Sequence, residues 1–310
     1  MLNKNSKIYI AGINGMVGSA CLRKFKLEGF KNIYGLSSKE LDLTDNKSVK
    51  KIISKIKPDI IIDAAAKVGG ILANNEAKFE FLNHNLRIQL NLIESALSSG
   101  VQTFIFLGSS CIYPKFANQP IKEEELLSGK LESTNEGYAL AKICGLKSIE
   151  YLKNDNLNYY SLMPTNLYGE NDNFDQKTSH VIPGMISKFH KAKISNLKSV
   201  TLWGDGSPRR EFMYVDDLAD AIFFSLKNKL TRSFYNVGVR HDISIKELAT
   251  KISKITGFNG EIKWDNSKPN GTPQKLMDSS KFYSFGYDFK YNLDKGLLKT
   301  YKYYLNSIHE

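Results

Sequence analysis

A tyrosine and a lysine stand four residues apart in 138-YALAK-142. On a helix this spacing puts both side chains on one face. An ammonium beside a phenol favours the phenolate, so Tyr138 can exchange a proton with a carbonyl oxygen while hydride moves at the carbon. The segment 108-GSSCIYP-114 adds two hydroxyls and a thiol, Ser109, Ser110 and Cys111, just after the apolar run 101-VQTFIFL-107. A serine there can orient the same oxygen. Taken alone, Cys111 is either a small buried residue or a proton carrier. His180 is open in the same way, as a packed imidazole or an acid–base group. The tyrosine–lysine spacing recurs in 291-YNLDK-295, near the C-terminus and far from any strand end, where a structural role is expected.

These groups need a frame, and the first half of the chain supplies one. Apolar runs at 7–12, 32–36, 59–66 and 102–110 alternate with helical spacing at 16–29, 46–56 and 83–100. The alternation implies a parallel sheet covered by helices on both faces. Beyond about residue 165 the pattern loosens, with helices expected at 181–193, 215–227, 243–256 and 293–306. The expected fold is α/β: a Rossmann-like, doubly wound parallel sheet with a smaller mixed α/β C-terminal substrate domain. Residues 1–165, with a return near 212–240, form the first part and 166–310 the second.

The first strand runs into 12-GINGMVG-18. Gly12 permits a tight turn, Gly15 close approach of a pyrophosphate, and Gly18 close packing of helix on sheet. Asn14, Met16 and Val17 complete that turn, and phosphates would sit at the helix N-terminus. After the second strand the chain reads 35-GLSSKE-40. Ser37, Ser38 and Lys39 are two hydroxyls and a cation suited to a 2′-phosphate, which favours NADP(H) over NAD(H). Glu40 lies further along as a weaker candidate for a ribose. Ala64, Ala65 and Ala66 in 63-DAAAK-67 would line the cofactor from the third strand.

Composition narrows the class. The chain has 310 residues, 42% hydrophobic and 24% charged, with a formal net charge of +11. The positive charge is spread over a Lys-rich surface without a run of five like charges, so nucleic acid is not an expected partner. No apolar run is long enough for a membrane span. Cys21, Cys111 and Cys144 are too few and too scattered for a disulfide framework or a zinc site, which fits a reducing cytoplasm. Cys21 and Cys144 are expected to pack. His84, His190, His241 and His309 are expected on the surface or in structural roles.

The glycine loop, the strand-end serine and Y-x-x-x-K together resemble the extended short-chain dehydrogenase/reductases. The segments "KVGGILANN" (67–75), "GSSCIYPK" (108–115), "MPTNLYG" (163–169), "SHVIPG" (179–184), "WGDGSPRREFMYVDDLA" (203–219) and "SKPNGTPQK" (267–275) resemble the GDP-L-fucose synthase family over nearly the whole chain. The resemblance implies C4 reduction of a GDP-4-keto-6-deoxy sugar, or of a GDP-4-keto-heptose, with C3/C5 epimerisation. It implies Ser109, Tyr138 and Lys142 as the reductase triad, and Cys111 and His180 as the proton carriers of epimerisation. Ser109 is preferred to Ser110 because it lies four residues before Tyr113. Ser109, Ser110, Cys111, Asn166, Lys188, Trp203, Arg210 and Lys275 would meet the nucleotide-sugar. Tyr138, Lys142, Pro164, Asn166, Leu167 and His180 would also border the cofactor. Bacterial members often carry arginines where this chain has Asn14, Ser37 and Ser38. The resemblance further implies a homodimer. Two other readings stand beside it: a C4 reductase that acts after a separate epimerase, and a catalytically silent dinucleotide-sensing scaffold.

Overall fold

The computed structural model describes residues 2–152, 156–176, 178–268 and 270–308, so His309 and Pro269 of the "SKPNGTPQK" segment lie outside the described residues. The first part contains β1 (Ile8–Ala11), α1 (Met16–Leu27), β2 (Ile33–Tyr34), α2 (Asn46–Ile56), β3 (Ile60–Asp63), α3 (Ile71–Glu76), α4 (Lys78–Ser98), β4 (Thr103–Leu107), α5 (Glu136–Tyr151) and β5 (Asn158–Pro164). The second part begins with β6 (Asn166–Tyr168), α6 (Val181–Ile194), β7 (Ser199–Trp203), β8 (Arg209–Arg210), β9 (Phe212–Tyr214), α7 (Val215–Lys227) and β10 (Phe234–Val237). It ends with β11 (Ile243–Ser244), α8 (Ile245–Thr256), β12 (Glu261–Asp265), β13 (Gln274–Lys275), α9 (Ser280–Tyr283) and α10 (Leu293–Ser307).

Six strands pair in the order β2-β1-β3-β4-β5-β10, all parallel. Both faces are covered, which is why these strands read as unbroken apolar runs. Ile8, Ile10, Ile60, Ile62 and Ile105 pack toward α1 and α7, in one core with Phe25 and Leu218. Tyr9, Ile61, Phe104 and Phe106 pack the other way, in a core with Val49, Leu92, Ile143 and Leu146 of α2, α4 and α5. A third core joins Phe189, Val200, Leu248, Ile252 and Leu297 around β7 and the later helices. Beyond β5 the chain builds short two- and three-stranded sheets, and β10 returns to the edge of the main sheet.

Local signals place most of the helices. Asp45 accepts the Lys47 N–H and starts α2, Ser244 and Glu247 form a capping box on α8, and Asn292 caps α10. That last cap separates Tyr291 from Lys295, so the second tyrosine–lysine pair does not share a helix. α4 begins five residues before the expected residue 83, at Lys78. The extension buries Phe81 against Gly69, a tertiary contact that no local periodicity announces. One expectation is overturned: Cys144 is exposed, not packed. The inward face of α5 is taken by Gly137, Ala141, Gly145 and Leu146, which turns Cys144 outward.

Candidate functional site

The chain moves from β1 to β2 on one side and then crosses to β3 on the other. The carboxyl ends of β1 and β3 therefore border a topological switch point, where open α/β sheets bind ligands. Gly12 follows β1 with φ +74°, and a Cβ there would lie 3.0 Å from the Ala64 carbonyl oxygen and the Ala65 Cα. A Cβ on Gly18 would lie 2.1 Å from the Gly12 carbonyl oxygen, so helix and turn meet backbone to backbone. Gly15 precedes α1, which has no side-chain cap and no acid in its first turn. Its first N–H groups, those of Met16, Val17 and Gly18, are thus free to meet an anion, and Asn14 on the turn is exposed. This cradle fits a dinucleotide pyrophosphate.

After β2, the Ser37 N–H and hydroxyl both donate to the Glu40 carboxylate, at 2.8 and 2.7 Å. Those bonds hold the Glu40 carboxyl below its usual range. Ser38 and Lys39 are exposed. The three residues stand where sequence places a 2′-phosphate, with an acid among them.

The carboxyl end of β4 carries the reactive hydroxyl and thiol. Ser109 caps a short 3₁₀ turn, Ser110–Ile112, and its Oγ accepts the Cys111 N–H at 3.2 Å. Its hydroxyl is also hydrogen-bonded to the Tyr138 phenol. Ser110 is buried. α5 presents Tyr138 and Lys142 to this strand end. The Lys142 ammonium donates to the Leu107 carbonyl at 2.7 Å and lies 4.6 Å from the Phe106 ring centroid and 5.9 Å from that of Tyr138. Burial pushes the Tyr138 phenol up, beyond what the Ser109 hydrogen bond recovers. The phenol therefore stays protonated, since burial dominates its surroundings. Burial also lowers the Lys142 ammonium, which Asp63 opposes.

Asp63 closes β3 and pairs in register with Phe106, so both side chains share a face. It is fully buried, and its Oδ2 has no hydrogen-bond partner. Burial raises its pKa to about 6, against the pull of Lys142. On both groups desolvation wins over mutual attraction.

Across from β4 stand the later segments. Lys275 on β13 pairs in register with Arg210 on β8. The Lys275 ammonium lies 3.9 Å from Cys111 Sγ, and the Arg210 guanidinium is within electrostatic reach of the same side chain. Asn166 follows Pro164 at the end of β5 and donates to the Glu211 carbonyl at 2.8 Å; Leu167 lies in register with Met213. The Glu211 carboxylate is fully buried and accepts the N–H groups of Val239, Arg240 and Met277 at 2.6, 2.7 and 3.1 Å. It ties β10 to the Lys275 segment.

His180 opens α6 with no side-chain cap. It is exposed, while the protein around it disfavours its charged form and lowers its pKa. Gly70 of the β3–α3 loop donates to the Thr178 carbonyl at 3.2 Å, docking the His180 segment against that loop. Further along α6, Lys188 donates to the Thr201 carbonyl. Trp203 ends β7 exposed, with the Lys268 ammonium 5.9 Å from its ring centroid. Hydrogen bonds and charges thus gather Ser109, Cys111, Tyr138, Lys142, Arg210 and Lys275. His180 and Lys188 stand apart from this group on α6, and Trp203 at the end of β7. His190 is buried with its Nδ1 3.0 Å from the Tyr301 hydroxyl.

Three site residues had no signal in the sequence. Asn135, whose amide donates to Cys111 Sγ at 3.2 Å, reads as an ordinary helix start. Glu211 reads as a surface acid in an Arg-Arg-Glu run. Asp63 reads only as part of a cofactor-lining strand end.

Residues 8–238 match the model of the NAD dependent epimerase/dehydratase family. A putative GDP-L-fucose synthase 2 of Arabidopsis thaliana is 50% identical over 99% of this chain and 94% of its own. The GDP-L-fucose synthase of Escherichia coli K12 is 42% identical over 97% of each chain. Among solved structures, MlghC, a GDP-mannoheptose C4 reductase from Campylobacter jejuni with NADP bound, superposes with a TM-score of 0.89 at 34% identity, covering 98% of this chain and 100% of its own. With its glycine cradle, strand-end serine and Tyr–Lys helix in place, the chain belongs to the NAD dependent epimerase/dehydratase family and, within it, to the GDP-L-fucose synthases.

Proposed function

We propose that this protein is an NADP-dependent oxidoreductase that reduces C4 of a GDP-4-keto-6-deoxy sugar after epimerising it at C3 and C5. The observation that carries the reading is the meeting of a reductase triad and a thiol at one strand end: Ser109 bonds both the Tyr138 phenol and the Cys111 N–H. NADPH supplies the hydride delivered to C4. The phenol, kept protonated by burial, gives its proton to the C4 oxygen. Ser109 orients that oxygen, and the Lys142 ammonium favours the phenolate left behind. The C4 keto group acidifies the C3 and C5 protons. Cys111 and His180 carry protons off one face and onto the other.

The remaining roles follow the same reading. The α1 N-terminus holds the cofactor pyrophosphate, with Ser37, Ser38 and Lys39 at the 2′-phosphate and Ala64, Ala65 and Ala66 along the ring. Arg210 and Lys275 present two cations to the substrate pyrophosphate. Asn166, Lys188 and Trp203 border the nucleotide-sugar. Residues 1–165, with the return near 212–240, then act as the cofactor part and 166–310 as the nucleotide-sugar part.

Incubation with GDP-4-keto-6-deoxy-mannose and NADPH in deuterated water tests the reading. Deuterium at C3 and C5 of a C4-reduced product supports it. Reduction without deuterium points to a C4 reductase that follows a separate epimerase, and no turnover with hexose or heptose substrates overturns the assignment.

A homodimer through α4 and α5 belongs to the same proposal. Phe79, Leu90 and Leu97 on α4, and Leu140 and Tyr151 on α5, are large exposed hydrophobics, and Cys144 lies between the last two. Their spacing makes one apolar stripe on each helix. Sedimentation of the wild type and of Leu140→Glu tests it: dimer and monomer are expected. No described helix is long and apolar enough to cross a membrane. The free thiols Cys21, Cys111 and Cys144 suit a reducing cytoplasm.

A further inference from the structure

Asn135 occupies the N-cap of α5, the position from which an asparagine side chain commonly accepts a free helix N–H. It makes no such bond. Its Nδ2 instead donates to Cys111 Sγ at 3.2 Å. Its Oδ1 is buried and has no hydrogen-bond partner. The cap has given up its local task for a thiol 24 residues away in sequence. The thiol in turn is held from below, because the 3₁₀ turn and the Ser109 hydroxyl fix the Cys111 backbone.

The charged and titratable groups that face this thiol are Lys275, Arg210 and Tyr138. Lys275 stands at 3.9 Å and gives a diffuse attraction. The Asn135 amide is closer and directional. A hydrogen bond donated to a charged acceptor favours the charged form.

We propose that Asn135 is the positioning residue of the epimerisation thiol, its amide aiming Cys111 Sγ and stabilising the thiolate that removes a proton from the sugar. The inference rests on the function proposed above. In the step it supports, the thiolate takes the proton from C3 or C5 and becomes S–H. The C–H electron pair moves into the enolate of the C4 ketone. The opposite face then receives a proton from the His180 imidazolium, and exchange with solvent resets both groups. The buried Oδ1 has a place in this cycle: a half-turn of the amide presents it to the new S–H as an acceptor. One side chain thereby serves both protonation states of the thiol.

Asn135→Ser is the informative variant. Serine is as good a helix cap as asparagine but too short to reach Sγ. A merely structural role predicts behaviour like the wild type. Peptide-resolved alkylation of Cys111 by iodoacetamide across pH is expected to show its midpoint moved up by about one unit in Asn135→Ser and in Asn135→Ala. Exchange at C3 and C5 in deuterated water is expected to slow roughly tenfold more than hydride transfer from the finished GDP-sugar to NADP+, which needs only the triad. A midpoint unchanged in both variants, or the two rates falling by one common factor, overturns the proposal. If the wild type neither exchanges nor reduces, the function assigned above fails, and the alkylation midpoint still decides whether Asn135 governs the thiol.

Discussion

The Lys142 ammonium donates to the Leu107 carbonyl oxygen at 2.7 Å, at the last residue of β4. This bond docks α5 onto the strand whose end carries Ser109 and Cys111. It also means that the lysine acts on Tyr138 through space, over the ring, and not through a hydrogen bond to the hydroxyl.

Tyr138→Phe separates the two halves of the proposed chemistry. It removes the proton donor to the C4 oxygen but leaves Cys111, Asn135 and His180 in place. Hydride transfer is expected to fall by about 10²–10⁴, while deuterium still enters C3 and C5. Stopped-flow NADPH absorbance and mass spectrometry read the two. Exchange that disappears together with reduction would count against separate proton carriers.

Asp63→Asn tests the buried acid behind the lysine. Lys142 is held below the usual ammonium range by burial, and Asp63 is the charge that opposes this. Asp63 is itself raised only to about 6, so it is ionised at and above neutral pH. Removing its charge lowers Lys142 further. The alkaline fall in the reduction rate is therefore expected to begin at lower pH, by about one unit. An alkaline limb that does not move would show that Asp63 does not support the ammonium.

Glu211→Ala leaves the N–H groups of Val239, Arg240 and Met277 without the carboxylate they now bond. An unsatisfied buried donor costs about 1–3 kcal/mol, so thermal unfolding is expected several degrees lower. Gly238→Ala strikes the same joint, because its Cβ would lie 2.4 Å from a Glu211 carboxylate oxygen. Calorimetry of both variants checks this, and melting temperatures equal to the wild type would refute the stitch.

Gly18→Ala is expected to abolish NADPH binding. The new Cβ would lie 2.1 Å from the Gly12 carbonyl oxygen and 2.6 Å from its carbon. Backbone cannot yield as a side chain can, so α1 must shift away from the turn that shapes the cradle. Fluorescence titration with NADPH measures the loss. Gly286→Ala is a contrasting control, since nothing lies within 4 Å of that added Cβ, although its φ of +92° is strained.

Much of this protein is determined by its sequence alone. Two-sided apolar runs force a buried parallel sheet, glycines at 12, 15 and 18 mark a phosphate turn, and Y-x-x-x-K after a serine strand end marks proton and hydride chemistry. These signals are legible because each works within a few residues. What the tertiary structure decided is which group touches which across long separations. Asn135 meets Cys111 and Asp63 lies behind Lys142, while Lys275 reaches the thiol from 164 residues away. The structure also set the sign of the Tyr138 shift. Sequence supplies the ammonium that should lower the phenol, but burial, which depends on how the whole chain packs, raises it. Hydrogen bonds and desolvation are properties of the folded neighbourhood, and a local pattern of residues does not carry them.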